Sequence, residues 1–236
     1  MTLIAHVSDT HLDGTPRSAE RVDRVVEHLA GLHRPVDAVL LTGDLADHGE
    51  PDEYAGLKVF ERLGVPLLHL PGNHDKREPF VAAGLGPLNR TERVGDLLLA
   101  LVDSTIPGRG DGLVEDATLE WLDGALAGTD PALVCFHHPP VGVGHPYADK
   151  ARQFGEERLA EVIARHPNVL AILCGHFHTA TVTTFAGVPV FIAPAVASTL
   201  IMPWEVDGGD LDRDGPVAIA YHLFAEGRLT TTYRFI

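Results

Sequence analysis

Asp9-Thr10-His11 and Gly175-His176-Phe177-His178 are the residues of this chain best suited by type and spacing to do chemistry. Each closes an apolar run, Leu3 to Val7 before the first and Val169 to Cys174 before the second. Residues two apart on a strand share a face, so either pair, at a strand's C-terminal end, can offer two ligands to one ion. Three more clusters end apolar runs: Gly43-Asp44, Gly72-Asn73-His74-Asp75 and His137-His138-Pro139. Alone, any one of them is ordinary turn chemistry, because Asp and Asn favour turns and glycine supplies positive φ. Together they point to a site, since sites in open α/β sheets form where the carboxyl ends of strands meet.

The donor types select the ion. Imidazole nitrogens with carboxylate and amide oxygens, and no thiolate, suit Mn, Fe or Zn rather than Ca or an iron–sulfur cluster. The clusters hold more candidate ligands than one tetrahedral ion takes. Two divalent ions sharing a carboxylate would use them all. With Asp9, Asp44 and a hydroxide set against the two ions, a charge of about +1 would remain to hold a phosphoryl group.

These residues need strands to carry them. Apolar runs predict strands at Leu3–Val7, Ala38–Leu41, Pro66–Leu70, Leu97–Val102, Leu133–Phe136 and Val169–Leu173. Helical spacing predicts helices over Ser18–Leu32, Glu53–Leu63, Thr118–Leu126 and Glu156–Arg165. The alternation implies an α/β architecture with crossover helices. From about residue 180 the chain turns strand-rich, with Thr181–Phe185, Val188–Ile192, Val217–Phe224 and Leu229–Phe235 joined by tight turns at Ala186-Gly187 and Glu226-Gly227. Gly208 to Gly215 reads as an acidic loop. The expected arrangement is one domain spanning 1–236, two sheets face to face with helices outside.

Composition bounds the partners. The chain has 236 residues, 45% of them hydrophobic and 22% charged, with a net charge of −15. That charge argues against a nucleic-acid polymer, which needs a basic footprint. Its acid is dispersed, as at Asp207, Asp210, Asp212 and Asp214, and reads as solvated surface. No apolar run approaches the roughly 18 residues of a membrane span. The first residues carry no basic segment of a secretory signal, so the cytoplasm is the expected location. Cys135 and Cys174 sit in apolar strands and read as buried thiols.

In order, Asp-x-His, Gly-Asp, Gly-Asn-His-Asp, His-x-Pro and Gly-His-x-His resemble the motif set of the calcineurin-like metallophosphoesterases, from about Leu3 to Ala197. The phrases LTGDLADHGEPDEY and FHHPPVGVG look most like the bacterial class III cyclic-nucleotide phosphodiesterases and glycerophosphodiesterases. The resemblance implies a four-layer α/β/β/α sandwich of two mixed sheets and a centre of two divalent ions, Mn, Fe or Zn. By the same resemblance Asp9, His11 and His178 hold the first ion, Asp44 bridges, and Asn73, His137 and His176 complete the second. His74 would face the phosphate as hydrogen-bond donor or general acid, with Asp75 orienting it. The implied reaction is attack of a hydroxide shared by the ions on a small phosphodiester: a 3′,5′- or 2′,3′-cyclic nucleotide or a glycerophosphodiester. A phosphomonoester or phosphoprotein is the alternative substrate for the same site, and a non-catalytic interaction module the alternative to an enzyme. A homodimer is the oligomer the resemblance suggests.

Other residues are weaker candidates. Asp103 is either an outer hydrogen-bond partner or a turn residue, and His145 either lines the substrate pocket or sits in a solvated loop. Lys76 and Arg77 follow the Asn-His-Asp cluster as possible phosphate contacts or as the surface start of a helix, and Arg109 is a further cation of unknown position. Ile201-Met202-Pro203-Trp204 either rims the pocket, meets another subunit or packs in the core. His6, His69 and His222 read as packed groups within strands.

Overall fold

A computed structural model describes residues 1–206 and 211–236. In chain order the strands are β1 (Thr2–Val7), β2 (Ala38–Thr42), β3 (Leu67–Leu70), β4 (Arg90–Val94), β5 (Leu97–Leu101), β6 (Gly112–Leu113) and β7 (Ala132–Cys135). They continue as β8 (Gln153–Phe154), β9 (Val169–Cys174), β10 (Thr181–Phe185), β11 (Val188–Ile192), β12 (Thr199–Leu200), β13 (Leu211–Asp212), β14 (Ala218–Ala225) and β15 (Arg228–Phe235). The α-helices are α1 (Pro16–Ala30), α2 (Pro51–Tyr54), α3 (Arg77–Ala82), α4 (Asp116–Leu126) and α5 (Glu156–Arg165).

Two mixed sheets carry the fold, ordered β15-β14-β1-β2-β3 and β10-β11-β9-β7-β5-β4. Pairing is parallel within β1-β2-β3 and within β5-β7-β9-β11, and the pairs β1-β14, β14-β15, β10-β11 and β4-β5 are antiparallel. Ile4, Leu40, Leu70, Leu99, Leu133 and Leu173 fill the layer between the sheets. The other face of the first sheet packs on α1 through Val22, Val25 and Val26. The other face of the second packs on α4 and α5 through Leu122, Leu126, Leu159 and Ile163. Four layers result, as expected of residues that alternate faces along buried strands.

The differences from expectation have physical reasons. Residues Ala55–Leu63 form a 3-10 helix rather than an α-helix; Leu57 and Phe60 are buried three apart, a spacing that matches three residues per turn. The strand β4 was not anticipated because its sequence, Arg-Thr-Glu-Arg-Val, carries charge on an edge strand, where charged side chains guard against unwanted pairing. The short helix α3 also lacks a periodic pattern long enough to read. Both hairpin turns form as expected, with Ala186, Gly187, Glu226 and Gly227 all at positive φ, the requirement of a type I′ turn. Of the acidic loop, Leu211–Asp212 pairs with Thr199–Leu200, whereas Asp207, Gly208 and Asp210 lie outside the described residues.

His6 and His222 lie in the interior of the first sheet. Thr231 Oγ1 and His222 Nδ1 are 2.8 Å apart, His222 Nε2 and His6 Nδ1 3.0 Å, and His6 Nε2 and Thr42 Oγ1 2.8 Å. Burial pushes His222 down to about 3 and is likewise the main cause that holds His6 well below its ordinary value. Both rings are therefore neutral members of a hydrogen-bonded chain.

Candidate metal centre

The C-terminal ends of β1, β2, β3, β7 and β9 converge at one edge where the two sheets meet. Backbone bonds lock them there: Asp9 N donates to Gly43 O (3.1 Å) and Gly175 N to His137 O (3.1 Å). Glycine permits the approach. A Cβ on Gly43, whose φ is +87°, would lie 2.6 Å from His137 Nδ1. One on Gly175 would collide with Ser8 Oγ and stand 2.8 Å from Asp9 Oδ2. Asp9, His11, Asp44, His176 and His178 all adopt positive φ, and the remaining non-glycine examples among the described residues are the two hairpin turns. Backbone strain is thus concentrated at this edge, the usual mark of a functional site.

The side chains turn inward with their outer atoms already fixed. His11 Nδ1 is 2.8 Å from Asp47 Oδ1, and His178 Nδ1 is 2.8 Å from Ser198 Oγ. Their Nε2 atoms face each other at 3.2 Å. His137 Nδ1 donates to Thr42 O at 2.7 Å, which turns its Nε2 toward Asp44 Oδ2 at 3.2 Å. Asp9 Oδ1 stands 3.2 Å from His178 Nε2 and 3.9 Å from His137 Nε2, and His176 Nδ1 is 3.2 Å from His137 Nε2. Four overlapping groups have ligand atoms within 4.8 Å of one another, among them Asp9-His11-His178 and Asp9-Asp44-His137.

Asn73 Oδ1 is sealed from solvent without a hydrogen bond, and Asp9 Oδ1, equally sealed, faces His178 Nε2 at 3.2 Å. Orphaned buried oxygens are costly, and a carboxylate among imidazoles gains most from a cation. The electrostatics agree. Burial opposes charge on His137, but Asp44 and Asp9 outweigh it and push the ring up to about 9. Burial likewise opposes charge on Asp44, yet His137 and His11 hold it well below the usual carboxylate range. The cluster draws positive charge, and its nitrogen and oxygen donors fit a divalent ion such as Mn, Fe or Zn.

Asp44 lies between the two halves, its Oδ2 3.6 Å from His11 Nε2 as well as 3.2 Å from His137 Nε2. Of the expected ligands, Asp9, His11, Asp44, His137, His176 and His178 have donor atoms grouped at this edge, and Asn73 lines the cavity that opens on it. His138 also falls within ligand distance of His137 and His176; its Nδ1 is 2.8 Å from Ser104 Oγ and its Nε2 is buried without a hydrogen-bond partner.

Asp75 does not orient His74. Its carboxylate accepts from Gly72 N (2.9 Å), Leu45 N (3.1 Å) and Ala46 N (3.1 Å), which ties the β2 and β3 loops together. The orienting group is Asp47, whose carbonyl oxygen accepts from His74 Nδ1 at 2.7 Å. Asp47 belongs to none of the sequence clusters, and its one mark in the sequence is its place three residues after Asp44. Lys76 pairs with Glu50, Arg77 with Asp103, and Arg109 with Asp111, so none of them serves the centre. Asp103 accepts from Thr105 N as a turn residue. A cavity of about 400 Å³ opens over the centre, with His74, His145, Arg17 and Arg213 in its walls. The two arginines had no motif to reveal them.

A family model described as calcineurin-like phosphoesterase matches residues 2–180. A probable cyclic nucleotide phosphodiesterase of Rhodococcus erythropolis is 37% identical, over 90% of this chain and 76% of its own. A glycerophosphodiester phosphodiesterase of Enterobacter lignolyticus is 33% identical, over 82% of this chain and 77% of its own. Among solved structures, a dimetal phosphatase from Danio rerio superposes with a TM-score of 0.75 at 15% identity, covering 99% of this chain and 96% of that one; at that identity the likeness is one of fold.

Proposed function

The chain belongs to the calcineurin-like phosphoesterase family, and from that premise we propose that it is a metal-dependent phosphodiesterase acting on a small diester, a cyclic nucleotide or a glycerophosphodiester. The observation that carries the reading is the convergence of donors on buried Asp9 Oδ1, which has His178, His137 and His11 Nε2 at 3.2, 3.9 and 4.0 Å. Asp9, His11 and His178 would hold one divalent ion and Asn73, His137 and His176 another, with Asp44 shared. When bound, the ions would supply Lewis acidity, drawing charge from the phosphoryl oxygens and easing deprotonation of water.

The chain's own residues do the rest. His74 has Nδ1–H committed to Asp47 O, which leaves Nε2 as the atom that meets the phosphoryl group; as an imidazolium with a second proton on Nε2 it would pass that proton to the departing oxygen and revert to the neutral Nδ1–H ring. Asp47 positions His11 and His74 at once, through its carboxylate and its carbonyl. Asp75 is a structural tie in this reading. We take residues 1–236 as one domain, since ligands come from both sheets.

Both substrate classes are borne by the names of similar proteins, which are diesterases. A dianionic monoester would gain from an unpaired arginine beside the ions. Arg77 and Arg109 are engaged elsewhere, while Arg17 and Arg213 stand in the cavity walls, so the preference for a diester over a monoester rests on the similar proteins. The net charge of −15 speaks against a nucleic-acid polymer. Among the described residues no helix is long and apolar enough to cross a membrane, and the buried thiols Cys135 and Cys174 are unbridged, in keeping with a reducing compartment such as the cytoplasm. Comparison of bis(4-nitrophenyl) phosphate with 4-nitrophenyl phosphate on metal-loaded protein tests the reading. Faster diester turnover is expected; a preference for the monoester would overturn it.

A further inference from the structure

The loop after β7 carries a polar donor and an aromatic ring that the metal chemistry does not use. Asp149 Oδ1 accepts from Val143 N at 2.7 Å and Oδ2 from Gly144 N at 3.0 Å. Asp149 N in turn donates to His145 O at 3.0 Å. The loop is thereby held closed by its own residues, as a preorganised recognition element requires.

His145 is 3% exposed and lines the cavity over the metal centre. Its Nδ1 accepts from Ala148 N at 3.2 Å and from Tyr147 N at 3.4 Å. A nitrogen that accepts carries no proton, so the tautomer places the N–H on Nε2. That atom has no partner among the described residues and is not one of the sealed, unpaired polar atoms of the interior. A fixed donor is left for whatever enters the cavity.

Tyr147, a residue 66% exposed, lines the same cavity with its ring centroid 6.0 Å from that of His145. Ala148, Ala151 and Leu200 extend an apolar wall beside it. The phosphoryl end of a diester belongs with the metal ligands, so this wall faces the alcohol half. Glycerol offers hydroxyls and no flat face. A nucleoside 3′,5′-cyclic phosphate offers both: one free hydroxyl, at 2′, and an aromatic base.

We propose that the Val143–Asp149 loop is the alcohol subsite, where His145 Nε2–H donates to the 2′-hydroxyl of a nucleoside 3′,5′-cyclic phosphate and Tyr147 stacks on its base. The proposal rests on the diesterase reading above and narrows it to one substrate class. His145 is then a specificity residue, and the metal centre is common to either class.

The test is kinetic, on metal-loaded protein with 3′,5′-cyclic AMP, its 2′-deoxy analogue and bis(4-nitrophenyl) phosphate. Wild type is expected to favour the ribo form by about 10-fold in kcat/KM, the scale of one hydrogen bond. His145→Asn keeps an oxygen where Nδ1 caps the loop and removes the Nε2 donor, so that ratio should fall to about one. A ratio unchanged in His145→Asn would mean that the ring only caps the loop, and would overturn the assignment. Tyr147→Ala should raise KM for both nucleotides by about 10-fold, with a smaller change in kcat; an unaltered KM would remove the base platform. If wild type cleaves bis(4-nitrophenyl) phosphate but neither nucleotide, the diesterase reading stands and the subsite falls. If it cleaves no diester, the reading falls and takes the subsite with it.

Discussion

His74 and Asp47 show how much one side chain does at this centre. His74 contributes its ring to the cavity wall, and its Nδ1 is tied to the Asp47 carbonyl. His74→Ala is expected to retain bound metal and to lose about 10²- to 10⁴-fold in kcat, the usual worth of a positioned proton donor; metal analysis beside kinetics checks this, and near-normal turnover would remove His74 from the mechanism. Asp47→Ala should cost about 10- to 100-fold in metal affinity or turnover, because it frees the outer nitrogen of His11. Titrating chelator-stripped protein with Mn measures the loss. The motif residues were legible in the sequence because donor types and strand ends announce themselves. Asp47, Ser198 and Arg17 were not, since an Asp, a Ser or an Arg on a loop has many ordinary uses and only folding brings these to the centre.

At the scale of elements, the site depends on strand ends that nearly touch. Asp75 holds two of them with three backbone hydrogen bonds from the loops after β2 and β3. Asp75→Ala leaves those buried N–H groups unpaired, with an expected loss of about 3 kcal/mol in unfolding free energy, measurable by chemical denaturation; an unchanged midpoint would contradict this role. The sequence suggested the opposite use for Asp75, orientation of His74, because neighbours in a chain are easily taken for neighbours in a site. Strands with uninterrupted apolar runs are legible for the reason that makes them buried on both faces: the strand expected over Val169–Leu173 runs Val169–Cys174. The edge strand Arg90–Val94 was hidden by its charges.

For the molecule as a whole, two neutral histidines inside the first sheet make stability depend on acid. His222 has its folded value depressed to about 3 by burial, whereas an unfolded histidine titrates near 6.5. Below about 6.5 the unfolded chain binds a proton that the folded chain refuses, so stability present above that pH is lost as pH falls toward 3. The slope attributable to His222 is about 1.4 kcal/mol per pH unit in that window. Denaturation of wild type and His222→Gln across pH 4 to 6.5 should show the shallower dependence in the variant; identical slopes would contradict it. The four-layer arrangement was itself legible, since alternating strands and amphipathic helices leave few ways to bury both. Which strand ends meet across the two sheets was not, because that depends on packing of Ile4, Leu40, Leu99 and Leu133 in the layer between them.

The central claim is that converging Asp, Asn and His donors hold two divalent ions that make this chain a diesterase. It is tested most directly by following bis(4-nitrophenyl) phosphate hydrolysis as Mn is returned stepwise to chelator-stripped protein. Turnover absent at the start and reaching its plateau at two equivalents per chain is the expected result; stripped protein that hydrolyses the diester as fast as the reloaded protein would contradict the account.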